Sequence, residues 1–257
     1  MSMELNKIYN ESNLETMGKM PDGFIDLTVT SPPYDNLREY KGYSFAFEEI
    51  AKELYRVTKK GGVLVWIVND ATVKGSETGT SFRQALFFKD CGFNIHDTMI
   101  WEKSSFIPLT HNRYEQCFEY MFILSKGKPK TFNPIKEVSK FGGKKSTGSF
   151  RHDLNNLTER NGSVVNEHKI HKNIVVFPVT KKANGHPAAF PEEMSDWHIK
   201  SWSNENDLIY DCFAGSGTTL KMARLNNRNY IGSEISSEYV DIAERRIAPY
   251  LAQTSLF

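Results

Sequence analysis

The stretch "DLIYDCFAGSGTTLKMARLNN", residues 207–227, passes from a short apolar strand pattern through a glycine turn into helical spacing. Strand, tight turn and helix in that order are the unit of an open α/β sheet with helices on both faces. Gly215 and Gly217 let the backbone turn tightly and approach a ligand closely. The turn is not the dinucleotide fingerprint, because Leu220 occupies its third glycine position, and no Gly-Lys pair follows to make a phosphate loop. A different nucleoside ligand is therefore expected. Glu234 closes the next strand pattern, "RNYIGSEIS" (228–236), where a carboxylate can accept hydrogen bonds from both ribose hydroxyls.

The same alternation extends toward the N-terminus. "GFIDLTVTS" (23–31) and "GGVLVWIVND" (61–70) read as buried strands, and "SFAFEEIAKELYRVTKKGG" between them has helical spacing that ends at glycines. "SFRQALFFKDCGF" predicts a helix ending at Gly92, and "NIHDTMIWEK" and "QCFEYMFILSKG" predict two strands able to form an antiparallel hairpin edge. "SEYVDIAERRIAPYL" predicts the last helix. The expected fold class is α/β, a doubly wound, mostly parallel sheet.

Composition narrows the setting. The longest apolar run, "VLVWIV" (63–68), is far too short to cross a bilayer, and "MSMELNKIYN" lacks the apolar core of a signal peptide, so a cytoplasmic protein without membrane contact is expected. Cys91, Cys117 and Cys212 lie far apart with no metal-ligand spacing, which predicts small buried side chains and no zinc site. The net charge of +1 hides a strong asymmetry. Residues 126–172 carry 11 Lys/Arg and 4 Asp/Glu, net +7, while the segments before and after are net −4 and −2. Such a basic stretch is either a nucleic-acid contact surface or a solvated, partly disordered loop.

A second strand end carries "TSPPY" (30–34). Pro32 and Pro33 fix φ and offer no N–H, so the turn presents acceptors held with little freedom. An exocyclic amino group needs acceptors to orient its hydrogens, and the Ser31 hydroxyl and Pro32 carbonyl could supply them, with Tyr34 stacking on the ring. The alternative is a proline-stiffened loop capped by a core tyrosine. No cysteine is nearby for covalent attack on a ring carbon.

Together these pieces resemble one family. "TSPPY" is similar to motif IV and "DCFAGSGTT" (211–219) to motif I of the amino-group DNA methyltransferases that use S-adenosylmethionine, in the permuted order of the β class found in restriction-modification systems. "HPAAFPEEM" (186–194) resembles motif X, "HNRYEQCFEYMFILSKG" (111–127) resembles motif VIII, and "IYNESNLETM" (8–17) sits where that class has an adenine-contacting strand end. The resemblance implies a Rossmann-like, seven-stranded methyltransferase sheet. It further implies a catalytic half over 1–127, a target-recognition insert over 128–172 and a cofactor-binding half over 173–257.

Carried over by position, the resemblance assigns Asp211, Phe213, Ala214, Gly215, Ser216, Gly217 and Thr218 to the cofactor loop, with Ser31 beside it. Glu234 and Ile235 fall to the ribose side, and Asn10 and Glu11 to the adenine side, where "NES" replaces the family's "GD". His186, Pro187, Phe190 and Pro191 would wall the methionine end. Ser31, Pro32, Pro33 and Tyr34 would be catalytic, and Arg38, Arg113, Lys144, Lys145 and Arg151 would contact DNA. The implied chemistry is direct methyl transfer to a base rotated out of double-stranded DNA, with no metal. Ser31 before the prolines and "HPAAFP" favour cytosine N4 over adenine N6. A cofactor-binding, DNA-binding subunit without activity and a methyltransferase acting on RNA or protein glutamine are further readings. A homodimer and a cognate restriction endonuclease are the implied protein partners.

Overall fold

The structure is a computed structural model that describes residues 3–33, 46–105, 112–146, 149–151, 157–159, 162–179 and 190–251. The strand over Thr58–Val68 sets the layers. Val63, Val65 and Ile67 face one side, Leu64, Trp66 and Val68 the other, and all six are buried. A strand apolar on both faces belongs inside a sheet covered on both sides.

In chain order the elements are β1 (Lys7–Tyr9), α1 (Asn13–Gly18), β2 (Ile25–Thr30), α2 (Phe47–Val57), β3 (Thr58–Val68), the small pair β4 (Thr72–Val73) and β5 (Ser76–Glu77), α3 (Thr80–Asp90), β6 (Asn94–Lys103) and β7 (Phe118–Ser125). β8 (Lys136–Val138), β9 (Ser149–Arg151), β10 (Leu157–Glu159) and β11 (His168–Ile170) follow. The chain closes with β12 (Ile174–Phe177), α4 (Glu192–Trp202), β13 (Leu208–Asp211), α5 (Thr218–Leu225), β14 (Asn229–Ser233) and α6 (Ser237–Leu251).

The main sheet has the order β1-β14-β13-β2-β3-β7-β6-β12, and within it β7 alone runs antiparallel to its neighbours. Leu27, Val29 and Ile209 pack on one face against Met194 and Ile199 of α4, Leu220 and Ala223 of α5 and Ile247 of α6. Leu64, Trp66 and Tyr210 pack on the other against Met17 of α1, Ile50 and Leu54 of α2 and Phe88 of α3. In α2 the buried residues Ile50, Ala51, Leu54 and Val57 repeat at helical spacing, and acidic first-turn and basic last-turn side chains oppose the helix dipole.

The α/β class is as expected, and three details differ. Among the described residues the sheet has eight strands rather than seven, because β12 adds to β6 in parallel. The β6–β7 hairpin is accordingly not the edge: β7 lies between β3 and β6, and β12 lies outside. Among the cysteines only Cys212 is buried, while Cys91 and Cys117 are partly exposed.

Residues 1–133 with 173–257 form one compact unit, and Pro134–Lys172 form a second. Residues 128–133 belong to the first: Lys130 N donates to Gly61 O at 2.9 Å and Asn133 N to Ser201 O at 2.8 Å. In the second unit β8 pairs with β11 and β9 with β10, both antiparallel. No helix among the described residues is long and apolar enough to cross a membrane.

Candidate active site at the sheet switch point

The chain leaves β2 toward β3 on one side and leaves β13 toward β14 on the other, while β2 and β13 themselves are adjacent and parallel. Beyond the carboxyl ends of such a pair, diverging connections open a crevice, the standard ligand position in open α/β sheets. "SPP" follows β2 and "CFAGSG" follows β13, so the two stretches that stand 181 positions apart in sequence begin side by side. Their contact is direct. Thr30 Oγ1, the last residue of β2, donates to Asp211 Oδ1, the last residue of β13, at 2.7 Å, with both side chains buried.

Asp211 Oδ1 also accepts from Phe213 N at 3.1 Å, which pins the first turn of the loop. Burial pushes the Asp211 carboxyl up to about 6, against the opposing pull of the Thr30 hydroxyl and Phe213 N–H, and the Glu234 carboxylate adds repulsion. A carboxyl whose folded pKa is raised stabilises the fold when protonated. That stability is full below the unfolded value of 3.8 and is lost as pH rises through about 6. Asp211→Asn should therefore gain unfolding free energy over the parent by about 2.5 kcal/mol between pH 4 and pH 8. Denaturant titrations of both proteins across that range test it, and a difference independent of pH would contradict it.

Glu234 follows β14 directly. Its Oε2 accepts from Gly215 N and its Oε1 from Ser236 N, both at 2.9 Å. Burial raises its pKa and those backbone donors oppose the rise. A carboxylate anchored by two N–H groups is fixed in direction and retains lone pairs for two ligand hydroxyls. Asn10, just past β1, donates its side-chain amide to the Glu234 and Ile235 carbonyls at 2.9 and 3.1 Å, joining the ends of β1 and β14. Of residues 211–217 only Phe213 is part exposed. Its ring meets Trp66 edge-on at 6.3 Å.

The glycine turn is braced from behind. Arg246 of α6 donates to Ser216 O at 2.6 Å and to Ser216 Oγ at 2.9 Å, and its other nitrogen pairs with Glu192 of α4 at 2.8 Å. Lys221 of α5 pairs with the same carboxylate at 2.8 Å. Asn13 of α1 donates to Cys212 O at 3.2 Å. These supports were not legible in the sequence, since each joins segments at least 29 positions apart and no short spacing announces it. The sole local signal is Thr30, the first letter of the quoted turn.

Other expected site residues have partners or exposure of their own. The Glu11 carboxylate pairs with the Lys19 ammonium and accepts from Thr16 Oγ1 at 3.0 Å. Phe190 packs half-buried on the core at the entrance to α4, and Pro191 caps that helix. Arg113 reaches the Gly75 carbonyl and Glu77 of the β4–β5 turn. Lys144 and Lys145 are exposed in the second unit. Tyr34, Arg38, His186, Pro187 and the Arg151 side chain lie outside the described residues.

The model of a DNA methylase family covering N6 and N4 enzymes matches residues 25–245. The chain belongs to this DNA methylase family. It is 56% identical to the orphan methyltransferase M.BamHII of Bacillus amyloliquefaciens over 241 residues, which cover 90% of this chain and 91% of that one. Its fold is similar to that of the PvuII DNA methyltransferase (cytosine-N4-specific), with TM-score 0.69, 21% identity and coverage of 95% and 87% of the two chains. The M1.HpyAVI structure, a complex with S-adenosylmethionine, gives TM-score 0.63 at 22% identity, covering 93% and 98%. The protein is thus a DNA methyltransferase of the β-class amino-group type.

Proposed function

We propose that this methyltransferase modifies the exocyclic N4 of cytosine in duplex DNA. The observation that carries the proposal is the Thr30–Asp211 bridge. It ties the acceptor turn Ser31-Pro32-Pro33 to the loop that begins at Asp211, so amine and methyl donor would meet at one place. The residues fit the cofactor. Glu234 offers a fixed acceptor for ribose hydroxyls, Asn10 and Ile235 stand beside it, and residues 213–218 form a loop whose backbone a nucleoside can approach. Phe190 and Pro191, with His186 and Pro187, would complete the methionine end.

S-adenosylmethionine supplies an electrophilic methyl group. The protein's task is positioning, which alone can remove a large part of such a barrier. The Ser31 hydroxyl and Pro32 carbonyl would accept the two amine hydrogens and turn the nitrogen lone pair toward the incoming carbon; the nitrogen would gain that carbon as the carbon's bond to the donor sulfur breaks, and would release one proton to solvent. The flipped cytosine would stack on Tyr34, offsetting an unstacking cost of a few kcal/mol.

Ser31 and the cytosine-N4 name of the PvuII enzyme favour cytosine. Adenine N6 is the second reading, because one hydroxyl discriminates weakly between flipped amino bases. Arg38, Arg113 and the basic insert would supply phosphate contacts. The name of M.BamHII, an orphan, favours action without a companion endonuclease, and the mechanism requires no dimer. Incubation with radiolabelled cofactor and duplex DNA, followed by nucleoside analysis, tests the reading. N4-methylcytosine is expected, N6-methyladenine would replace it with the second reading, and no label on varied DNA would leave a silent binding subunit.

A further inference from the structure

The second unit is more ordered than its composition implies. β8 and β11 pair from Lys136 opposite Ile170 to Val138 opposite His168, and the pairing continues at both ends. His171 N donates to Ile135 O at 3.0 Å and Ser139 N to Glu167 O at 2.7 Å. Past a turn closed by Gly142 N to Ser139 O, Gly143 N reaches Val165 O at 2.9 Å and Ser146 N reaches Ser163 O at 2.9 Å. Two arms, residues 135–146 and 163–171, therefore form a single antiparallel ribbon interrupted by one bulge.

Opposite residues of such a ribbon project to the same side, and neighbours along an arm to opposite sides. One face of β8–β11 is closed on itself, for Glu137 pairs with Lys169 at 3.0 Å and with His171 at 3.5 Å. The other face displays Lys136, Val138, His168 and Ile170, all exposed, with Val138 at 76% and Ile170 at 56%. Two aliphatic side chains held in water between a cation and an imidazole need a partner that is both anionic and locally apolar. The unit carries 8 Lys/Arg against 4 Asp/Glu over residues 134–172, and the one carboxylate of β8–β11 lies on the far face.

The major groove of B-DNA has these properties: it admits a two-stranded ribbon, is walled by phosphates, and exposes guanine N7 and O6 acceptors beside thymine methyl groups. We propose that the Lys136–Val138–His168–Ile170 face enters the major groove of the substrate duplex and reads part of the recognition sequence. Lys136 and His168 donate to guanine edges, and Val138 and Ile170 pack on thymine methyls. The exposed lysines beyond this face, Lys144 and Lys145 among them, contact phosphates and carry no sequence information. The inference rests on the family assignment to DNA and not on which base is methylated.

Selection of bound duplexes from a randomised library, followed by sequencing, tests the proposal with the full chain. The parent should enrich one sequence. The pair Lys136→Ala/His168→Ala should lose discrimination at one or two base pairs by about 5- to 150-fold, while the rest of the preference stands. Lys169→Ala, on the closed face, should keep the parent preference within about 2-fold. Cofactor affinity and the thermal midpoint report that every variant is folded, and Lys136→Arg should restore much of the lost discrimination. Unchanged enrichment in the double variant, or equal weakening on every sequence, overturns the proposal, as does a parent that enriches nothing. Transfer to adenine in the nucleoside analysis would unseat the cytosine assignment and leave this test intact.

Discussion

Gly217→Val should abolish measurable binding of S-adenosylmethionine and cost about 3 kcal/mol of stability. Gly217 precedes α5 with φ +77°, a left-handed conformation that a β-branched residue resists strongly. A Cβ there would also stand 2.7 Å from the Ala243 Cβ and 3.2 Å from its Cα, on α6. Neither atom can retreat, because Ala243 is fully buried. The loop must move instead, and it moves away from the Arg246 brace on Ser216 and the Glu234 bond to Gly215. Calorimetric titration of the cofactor and denaturant unfolding measure the two effects separately. A variant with lowered stability and parental cofactor affinity would show that the turn does not shape the cofactor site.

Ser31→Ala should slow methyl transfer by about 100-fold while cofactor and DNA affinities stay within about 3-fold. The hydroxyl is proposed to act on the amine only as the nitrogen lone pair turns toward the methyl carbon, so its loss falls on the transition state rather than on binding. The adjacent Thr30–Asp211 bond does not run through that hydroxyl, and the two prolines fix their own φ. Single-turnover rates beside equilibrium binding separate the possibilities. Equal losses in rate and in DNA affinity would make Ser31 a structural residue of the turn.

The elements legible in the sequence are those with a complete local signature. β3 reads as a strand because burial on both faces yields an unbroken apolar run, β2 because Ile25, Leu27 and Val29 alternate with polar residues, and α2 because its buried positions repeat at helical spacing. α4 escaped notice for the opposite reason: Ser195, His198 and Ser201 lie on its buried side and break the apolar pattern. His198 packs with Nε2 3.3 Å from Met121 Sδ, and burial lowers its pKa to about 3, so the ring stays neutral. β12 has four residues and only Val175 and Phe177 buried, too little periodicity to distinguish a strand from the end of the basic insert.

At the site, "TSPPY", "DCFAGSG" and Glu234 were legible because proline, glycine and a strand-end carboxylate each constrain the backbone or the chemistry where they stand. Residue order alone determined the α/β class, the stiff acceptor turn and the glycine loop. Only the tertiary structure decided that the turn and loop are joined by a buried hydrogen bond, that Arg246 braces Ser216, and that the basic insert carries a ribbon with an open face. Turn geometry and apolar spacing act over a few residues and are written locally. Which strand lies beside which, and how far burial shifts a carboxyl such as Asp211, depends on groups brought together from distant parts of the chain.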